Sequence, residues 1–561
     1  MLRSEIIDRL LAARGVSPEE RDAFLHPSLS GLAAPEELPG ITQAADAILA
    51  AVGAGRKIVV FGDYDCDGVS ATAILVKAIR ALGGENSVAA FIPDRLSEGY
   101  GMSDAAVARC MSVHPDVGLV VTVDNGINSI SQIAALKGKG VNVVVTDHHL
   151  ASRAEGRPDG EFVLPPADAV VNPKVSAPAH LADLCGAGVA FFLANKVVSD
   201  ARRRGMYSGP NLAGPLLVLA GLATVTDIMP LLGQNRILVS EALSRFRTLA
   251  PTGLKELHLR AARNGSDRLT SRDFGFMLGP RINAAGRLKS GMEALDLILS
   301  EDREAAREQA RVIDEYNLGR KSIEREMTDR AMEMVVPGAS AQVIDLPDGH
   351  PGVVGIVAAR VMERMERKTP VCVIAGGHGS ARSPDGVNIR DAFVACDAFL
   401  EKYGGHAAAC GFSVKEGMTD AFRDALCRYC DSLGVAAAST CDDGDPELWI
   451  EPEDVTIELA EAIEGLEPFG EGNREPVLGF RNAFLSDVRP LGSDGQHLYV
   501  SISAGTSAER SASRLRAVWW NRGDLVESLR ASSSAPHSLK FNVVASDYGE
   551  RHPELRLVGI S

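Results

Sequence analysis

The chain has 561 residues, 45% hydrophobic and 24% charged, with a formal net charge of −16. That length exceeds a single core and implies about two to four domains, while no apolar run reaches the roughly 18 residues of a membrane span. The acidic balance excludes a protein that binds nucleic acid over its whole surface, and confines any such binding to a salt-sensitive channel.

The N-terminus (MLRSEIIDRLLAARG) carries early acids and lacks a long apolar run, so it does not read as a secretory signal. Residues 1–55 read as helices and turns, with an apolar helix at 44–52. Strands and helices then alternate: strand 57–61, helix 69–82, strand 87–92, helix 103–111, strand 118–123, helix 130–136, strand 142–146 and strand 169–171. This alternation predicts right-handed βαβ units and a mostly parallel sheet. Helices are expected at 189–204 and 215–225, and one long charged helix at 301–334, stopped by Pro337. A second α/β region has strands at 341–344 and 371–374 around a helix at 353–364. Residues 435–446 (VAAASTCDDGDP) read as a linker. Beyond it, short strands at 498–503, 515–519, 540–545 and 554–559 predict a small, OB-like barrel. Nine Cys form no framework, and Cys427 and Cys430 sit on a helix-like stretch where packing is the simpler reading. Together these features place the protein in the cytoplasm.

Four segments run an apolar stretch directly into metal-ligand residues: 57–68 (KIVVFGDYDCDG), 118–126 (GLVVTVDNG), 142–149 (NVVVTDHH) and 222–231 (LATVTDIMPL). The first three read as strands whose carboxyl ends share one rim of a parallel sheet. The fourth reads as the end of an apolar helix with Asp227 at its tip. Asp63, Asp65 and Asp67 alternate in a loop, and Gly68 then lets the backbone turn; a calcium loop fails because no Glu stands at the twelfth position. Asp124 alone could be a turn former. Of His148 and His149, one can ligate while the other faces substrate. Asp and His without Cys suit Mn²⁺ or Mg²⁺, and the ligand count suits two ions with Asp124 shared between them. Two Gly-rich stretches, 376–383 and 404–412, permit close approach to phosphate, though either also reads as a tight turn starting a helix. Of Trp519 and Trp520, adjacent on a strand, at least one belongs to the core.

These residues resemble the DHH phosphoesterase superfamily, and within it the bacterial exonucleases specific for single-stranded DNA. The likeness rests on VFGDYDCDG, PDRLSEGYG, VDNG, TDHH, CGAGVAF, ATVTDIMPL, GPRINAAGRL, HPGVVGIVAARV, GSARS, GGHAAACGF and LEPFGEGNREPV in order along nearly the whole chain. It implies an α/β multidomain protein: an N-terminal helical segment (1–55), a parallel-sheet DHH catalytic domain (56–250), a connecting region with the long helix (251–337), a DHHA1-like substrate-binding domain (338–434) and a C-terminal OB-like β-barrel (447–561). It implies metal ligation by Asp65, Asp67, Asp124, His148 and Asp227, with Asp63 supporting and His149 assisting the scissile phosphate. Phe61 stands where related pyrophosphatases carry a His ligand, a departure that bears on one metal. Arg95 would hold the 5′ end, and Tyr100 would stack at the entrance. Ser380 and Arg382 would bind the terminal phosphate, and Arg281, Asn283 and His406 would line the groove. The implied activity is 5′→3′ degradation of single-stranded DNA to 5′ mononucleotides, in repair and recombination, with single-strand-binding protein and a RecQ-type helicase as partners. Two alternatives weigh less. A DHH phosphodiesterase of short oligonucleotides or cyclic dinucleotides would lack the long helix and barrel. A non-catalytic replication subunit would not need the intact Asp/His set.

Overall fold

The computed structural model describes residues 3–99, 101–153, 161–262, 268–366, 368–433, 444–503, 515–546 and 551–561. Tyr100 and residues 435–443 of the expected linker lie outside them.

The first sheet is wholly parallel, in the order β2-β1-β3-β4-β5. Its strands are β1 (Lys57–Phe61), β2 (Val88–Phe91), β3 (Val117–Val123), β4 (Asn142–Thr146) and β5 (Ala169–Val171). Their continuous β-branched runs fit strands covered on both faces. Ile58, Val60, Leu119 and Val121 pack with helices Ile41–Gly53, Cys66–Gly83, Gly186–Arg203 and Ala213–Thr226. Val59, Phe61, Val120 and Val143 pack on the other face with helices Asp104–Val113 and Ile130–Gly138. Phe61 is wholly buried against Phe91, ring centroids 4.9 Å apart, so it serves this core. The helix expected at 69–82 begins instead at Cys66, which puts Asp67 and Gly68 in its first turn.

The long helix spans Arg303–Glu333 and is about 46 Å long. Ala306, Ala310 and Ile313 belong to the first core, whereas Met327 and Ala331 belong to a core of the second α/β region. One rigid element therefore joins both regions. The second sheet has the order β6-β7-β8-β10-β9. It comprises β6 (Gln342–Asp345), β7 (Val371–Ala375), β8 (His378–Arg382), β9 (Leu400–His406) and β10 (Ala409–Val414). The two Gly-rich stretches thus start no helix. They are strands, with Gly411 of β10 opposite Ser380 of β8 and Gly404 of β9.

The last region runs β11 (Leu448–Trp449), β12 (Leu478–Leu491), β13 (His497–Ser503), β14 (Leu515–Trp519), β15 (His537–Ser546) and β16 (His552–Ile560). The pairings β12–β13–β14–β16–β15 close through β15–β12, with β14–β16 parallel, giving a five-stranded barrel. Sequence reading missed β12. Its period-two alternation is broken by register shifts and by positive φ at Asn482 and Asp487. Trp519 lies in the barrel core and Trp520 is exposed.

The first 55 residues do not act as one body. Helix Arg3–Ala13 puts Ile6, Ile7, Leu10 and Leu11 into the barrel core, whereas helix Ile41–Gly53 packs on the first sheet. Arg236 fastens these parts together. Its guanidinium donates to the carbonyls of Phe24 (2.7 Å), Leu466 (3.0 Å) and Glu467 (2.8 Å).

Candidate metal centre and phosphate pocket

Three strand ends and one helix end meet at the rim of the first sheet. After β1, Asp65 caps helix Cys66–Gly83, its Oδ1 accepting from the backbone N–H of Asp67 and of Gly68, both at 3.0 Å. Gly68 is required by close approach, since a Cβ there would lie 2.6 Å from Asp63 Cβ. Asp67 projects from the first turn into the start of helix Gly186–Arg203. Gly186 N donates to its Oδ2 and Ala187 N to its Oδ1, both at 2.7 Å. A helix N-terminus is a natural seat for a carboxylate.

After β3, Asp124 adopts a left-handed conformation, φ +61°. Asn125 donates to the carbonyls of Val123 (2.8 Å) and Phe61 (3.3 Å), tying the ends of β3 and β1 together. After β4, Asp147 accepts from the backbone N–H of Ile127, His148 and His149, and from His149 Nδ1 at 2.8 Å. Asp147 therefore orients the His149 imidazole and fixes the backbone that carries His148. His148 is buried among carboxylates, its Nε2 3.0 Å from Asp124, 3.6 Å from Asp227 and 3.7 Å from Asp67. His149 is half-exposed at the edge. Asp227 is the C-cap of helix Ala213–Thr226, as its sequence position implied.

The electrostatics call for cations. Burial, followed by repulsion from the neighbouring acids, holds the Asp63 and Asp124 carboxyls well above the usual range. Burial raises Asp67 despite the opposing His148, and burial with Asp67 and Asp65 pushes Asp227 up to about 9. Burial also lowers His148 to about 4, keeping it in the neutral form that ligates. Burial would lower His149 too, but its bond to Asp147 holds it up at about 9. Asp63 Oδ1, Asp227 Oδ2 and His148 Nδ1 are buried without a hydrogen-bond partner. Three sets bring their ligand atoms within 4.8 Å of one another: Asp67–His148–Asp227, Asp124–His148–His149 and Asp63–Asp65–Asp124. Hard carboxylates, a neutral imidazole and orphaned oxygens fit Mn²⁺ or Mg²⁺. Asp63, expected as a supporting residue and a further candidate ligand, belongs to one of these sets, and Asp124 belongs to two.

The residues expected to meet substrate divide. Ser380 Oγ accepts from Arg382 Nη1 at 3.0 Å, and the start of helix Val354–Arg364 closes on both. A Cβ on Gly355 would lie 3.0 Å from Arg382 Nη2 and 3.1 Å from Ser380 Oγ. Arg95 lies over the Tyr64 ring at 5.0 Å. Sequence reading missed Arg287, at the end of the same GPRINAAGRL motif, whose Nη1 donates to Gly352 O at 3.3 Å. Burial and the nearby Arg95 lower both Arg287, to about 10, and Arg382. Among the described residues no carboxylate pairs with Arg95, Arg287 or Arg382, so the chemistry of this corner suits an anion. Arg281, by contrast, is bound to Asp314 at 2.9 Å and to Met277 O. Asn283 Oδ1 accepts from Cys66 N at 2.6 Å, so it braces the Asp65–Asp67 turn. His406 ends β9, exposed and within electrostatic range of His149 and Lys174.

Family models match the chain three times: the DHH family N-terminal domain at residues 57–220, the DHHA1 domain at 338–432 and the RecJ OB domain at 447–558. The single-stranded-DNA-specific exonuclease RecJ of Dickeya dadantii is 36% identical over 89% of this chain and 86% of its own. The chain belongs to the RecJ family. The RecJ of Bacillus subtilis is 33% identical over 93% of this chain, which spans 64% of that protein's length. Among solved structures, RecJ of Thermus thermophilus in complex with Mn²⁺ superposes with a TM-score of 0.78 at 30% identity, over 99% of this chain and 75% of that one. The same RecJ in complex with Mg²⁺ gives 0.71 at 29% identity, over 98% and 74%. The donor set here matches those ions. No described helix is long and apolar enough to cross a membrane.

Proposed function

We propose that this RecJ-family chain is a divalent-metal-dependent exonuclease that degrades single-stranded DNA from its 5′ end to 5′ mononucleotides. The observation that carries this reading is an acidic, cation-demanding cluster near three arginines, Arg95, Arg287 and Arg382, that have no carboxylate partner among the described residues. Asp65, Asp67, Asp124, His148 and Asp227 would hold two Mn²⁺ or Mg²⁺ ions, with Asp63 as a further ligand. When bound, such ions activate a water and stabilise the leaving oxygen.

The chain's own residues do the rest. Arg95, Arg287 and Arg382, with Ser380, hold the 5′-terminal phosphate and so set the register of the strand. His149, kept protonated by Asp147, presents a fixed positive charge to the scissile phosphate. Water attacks the phosphorus of the first internal diester and the bond to the 3′ oxygen breaks. The released nucleotide keeps its 5′ phosphate, and the shortened strand carries a new one, which is the pocket's next ligand. The acidic surface elsewhere repels DNA and favours entry through this corner.

The test uses one long single strand with Mn²⁺, labelled at either end. Immediate release of a labelled mononucleotide from the 5′ end, with gradual shortening of the 3′-labelled strand, is the expected result. An intact strand with dinucleotides or cyclic dinucleotides hydrolysed instead would move the assignment to the small-substrate class. We assign the protein to the cytoplasm, with single-strand-binding protein and a RecQ-type helicase as partners; co-purification from cells checks both.

A further inference from the structure

Helix Ala213–Thr226 stops in a tight left-handed turn. Ile228 N donates to Val225 O at 3.2 Å and Met229 N to Thr224 O at 3.1 Å. This is a Schellman stop, in which the residue after the C-cap takes positive φ and is usually Gly. Here that residue is Ile228, at φ +57°. It is the one β-branched residue with positive φ among the described residues, and a β-branched side chain is a genuine outlier there. The turn itself is explained by the need to end the helix at Asp227. The choice of Ile is not, because Ile228 is 70% exposed and burial repays none of the strain.

A second observation falls on the same helix end. Phe276 is 78% exposed and sits on a π-helical turn, Phe274–Leu278, a geometry frequent at functional sites. That turn packs on the last residues of helix Ala213–Thr226. A Cβ on Gly275 would lie 3.4 Å from Val225 Cγ1, and one on Gly279 would lie 2.3 Å from Thr226 Cγ2. Phe276 and Ile228 are the two most exposed large apolar side chains among the described residues. Ile228 directly follows Asp227, whose carboxylate is 3.6 Å from His148, and Phe276 belongs to the turn that touches Val225 and Thr226 just before it. The Arg272 guanidinium lies over the Phe276 ring at 5.5 Å, a cation beside an open aromatic face.

We infer that Ile228 and Phe276 form an apolar lip beside the metal cluster that takes the unpaired nucleobases of the substrate strand. The inference rests on the exonuclease reading and deepens it. Consecutive Cα atoms are about 3.8 Å apart, so Ile228 stands one step from a ligand of the cluster. A strand whose phosphate reaches the cluster therefore brings its bases within reach of the lip. Single-stranded bases offer both faces to such a surface, whereas duplex bases are already stacked on their neighbours. The lip adds a preference for unpaired strands that needs no sequence-specific hydrogen bond.

The test measures binding of the full chain to 5′-phosphorylated oligothymidylate and to an abasic strand of equal length. Ca²⁺ replaces Mn²⁺, and strand integrity is checked throughout. The variants are Ile228→Asn, which accepts the left-handed conformation, Phe276→Ser, and Ile228→Leu as the conservative control. Wild type is expected to prefer the strand with bases. Ile228→Asn and Phe276→Ser are each expected to weaken oligothymidylate binding roughly 5- to 10-fold, with little change for the abasic strand. Ile228→Leu should restore binding. Ile228→Gly should raise the thermal midpoint, because it removes the strain, while weakening binding in the same way. Wild type that binds neither strand would sink the exonuclease reading along with the lip. Wild type that binds oligothymidylate, with Ile228→Asn and Phe276→Ser within twofold of it, would overturn the lip alone.

Discussion

The Asp67 carboxylate is seated on the amide of Gly186, with Oδ2 2.7 Å from that nitrogen and Oδ1 the same distance from the next. Gly186 also lies against Asp124, where a Cβ would come within 2.6 Å of Asp124 Cβ. One glycine therefore sets the spacing of two carboxylates. Gly186→Ala should leave the fold intact and reduce turnover on the order of 100-fold, the usual cost of roughly ångström misplacement at a reacting centre. A Mn²⁺ titration of the variant should show weakened binding; unchanged affinity and turnover would refute the role given to Gly186.

Asp124 belongs to two of the three ligand sets. Asp124→Asn keeps a residue that tolerates positive φ and removes one buried charge. Hydrolysis should fall at least about 100-fold, while single-stranded DNA binding remains measurable. In EDTA, the same variant should melt at a higher temperature than wild type, because fewer like charges are crowded together. Surviving hydrolysis would show the metal assignment to be wrong.

The metal-free protein should lose stability as pH rises. Asp63, Asp67, Asp124 and Asp227 all have folded-state carboxyls raised above the ordinary value, Asp227 to about 9. A raised folded pKa means that the native state holds the proton more tightly than the unfolded chain. The resulting stability is complete below the unfolded value, near pH 4, and is lost as pH climbs towards the folded values. Thermal melts in EDTA between pH 5 and 9 should therefore show a falling midpoint, and Mn²⁺ should restore it most at the alkaline end. A flat profile in EDTA would contradict the crowding of charges.

Arg287 and Arg281 occupy one motif yet should behave differently. Arg287 has no carboxylate partner among the described residues, whereas Arg281 is held by Asp314. A hydrogen bond to a charged group is worth about 1.5–3 kcal/mol. Arg287→Ala should raise KM for a 5′-phosphorylated strand roughly 10- to 100-fold and erase its advantage over a 5′-hydroxyl strand. Arg281→Ala should keep that advantage. The comparison needs only the two strands and steady-state rates.

Much of this molecule could be read along the chain, because its signals are local. Strands β1, β3 and β4 follow from β-branched runs, and β4 and β5 fall at the expected residues. Asp63 to Asp67, Asp124 and Asp147 to His149 each follow an apolar strand directly, so their convergence on one rim is a consequence of parallel topology, whereas Asp227 reaches it from the end of a helix. The long helix was legible from its period and from Pro337.

Tertiary structure alone decided the rest. Asn283 braces Cys66 from 217 residues away, and the amides of Gly186 and Ala187 hold Asp67. A backbone N–H is the same in every residue but proline, so sequence carries no mark of which amide will hold a carboxylate. Arg281 and Arg287 are the same residue type six positions apart, and only their neighbours separate an ion-paired arginine from one awaiting an anion. Helix Arg3–Ala13 could have packed anywhere, and the barrel supplied the apolar surface that it buries. Sequence determined which elements form and which chemical groups their ends carry. Long-range packing determined which of those groups meet, because contact energies between distant segments leave no period or propensity in either one.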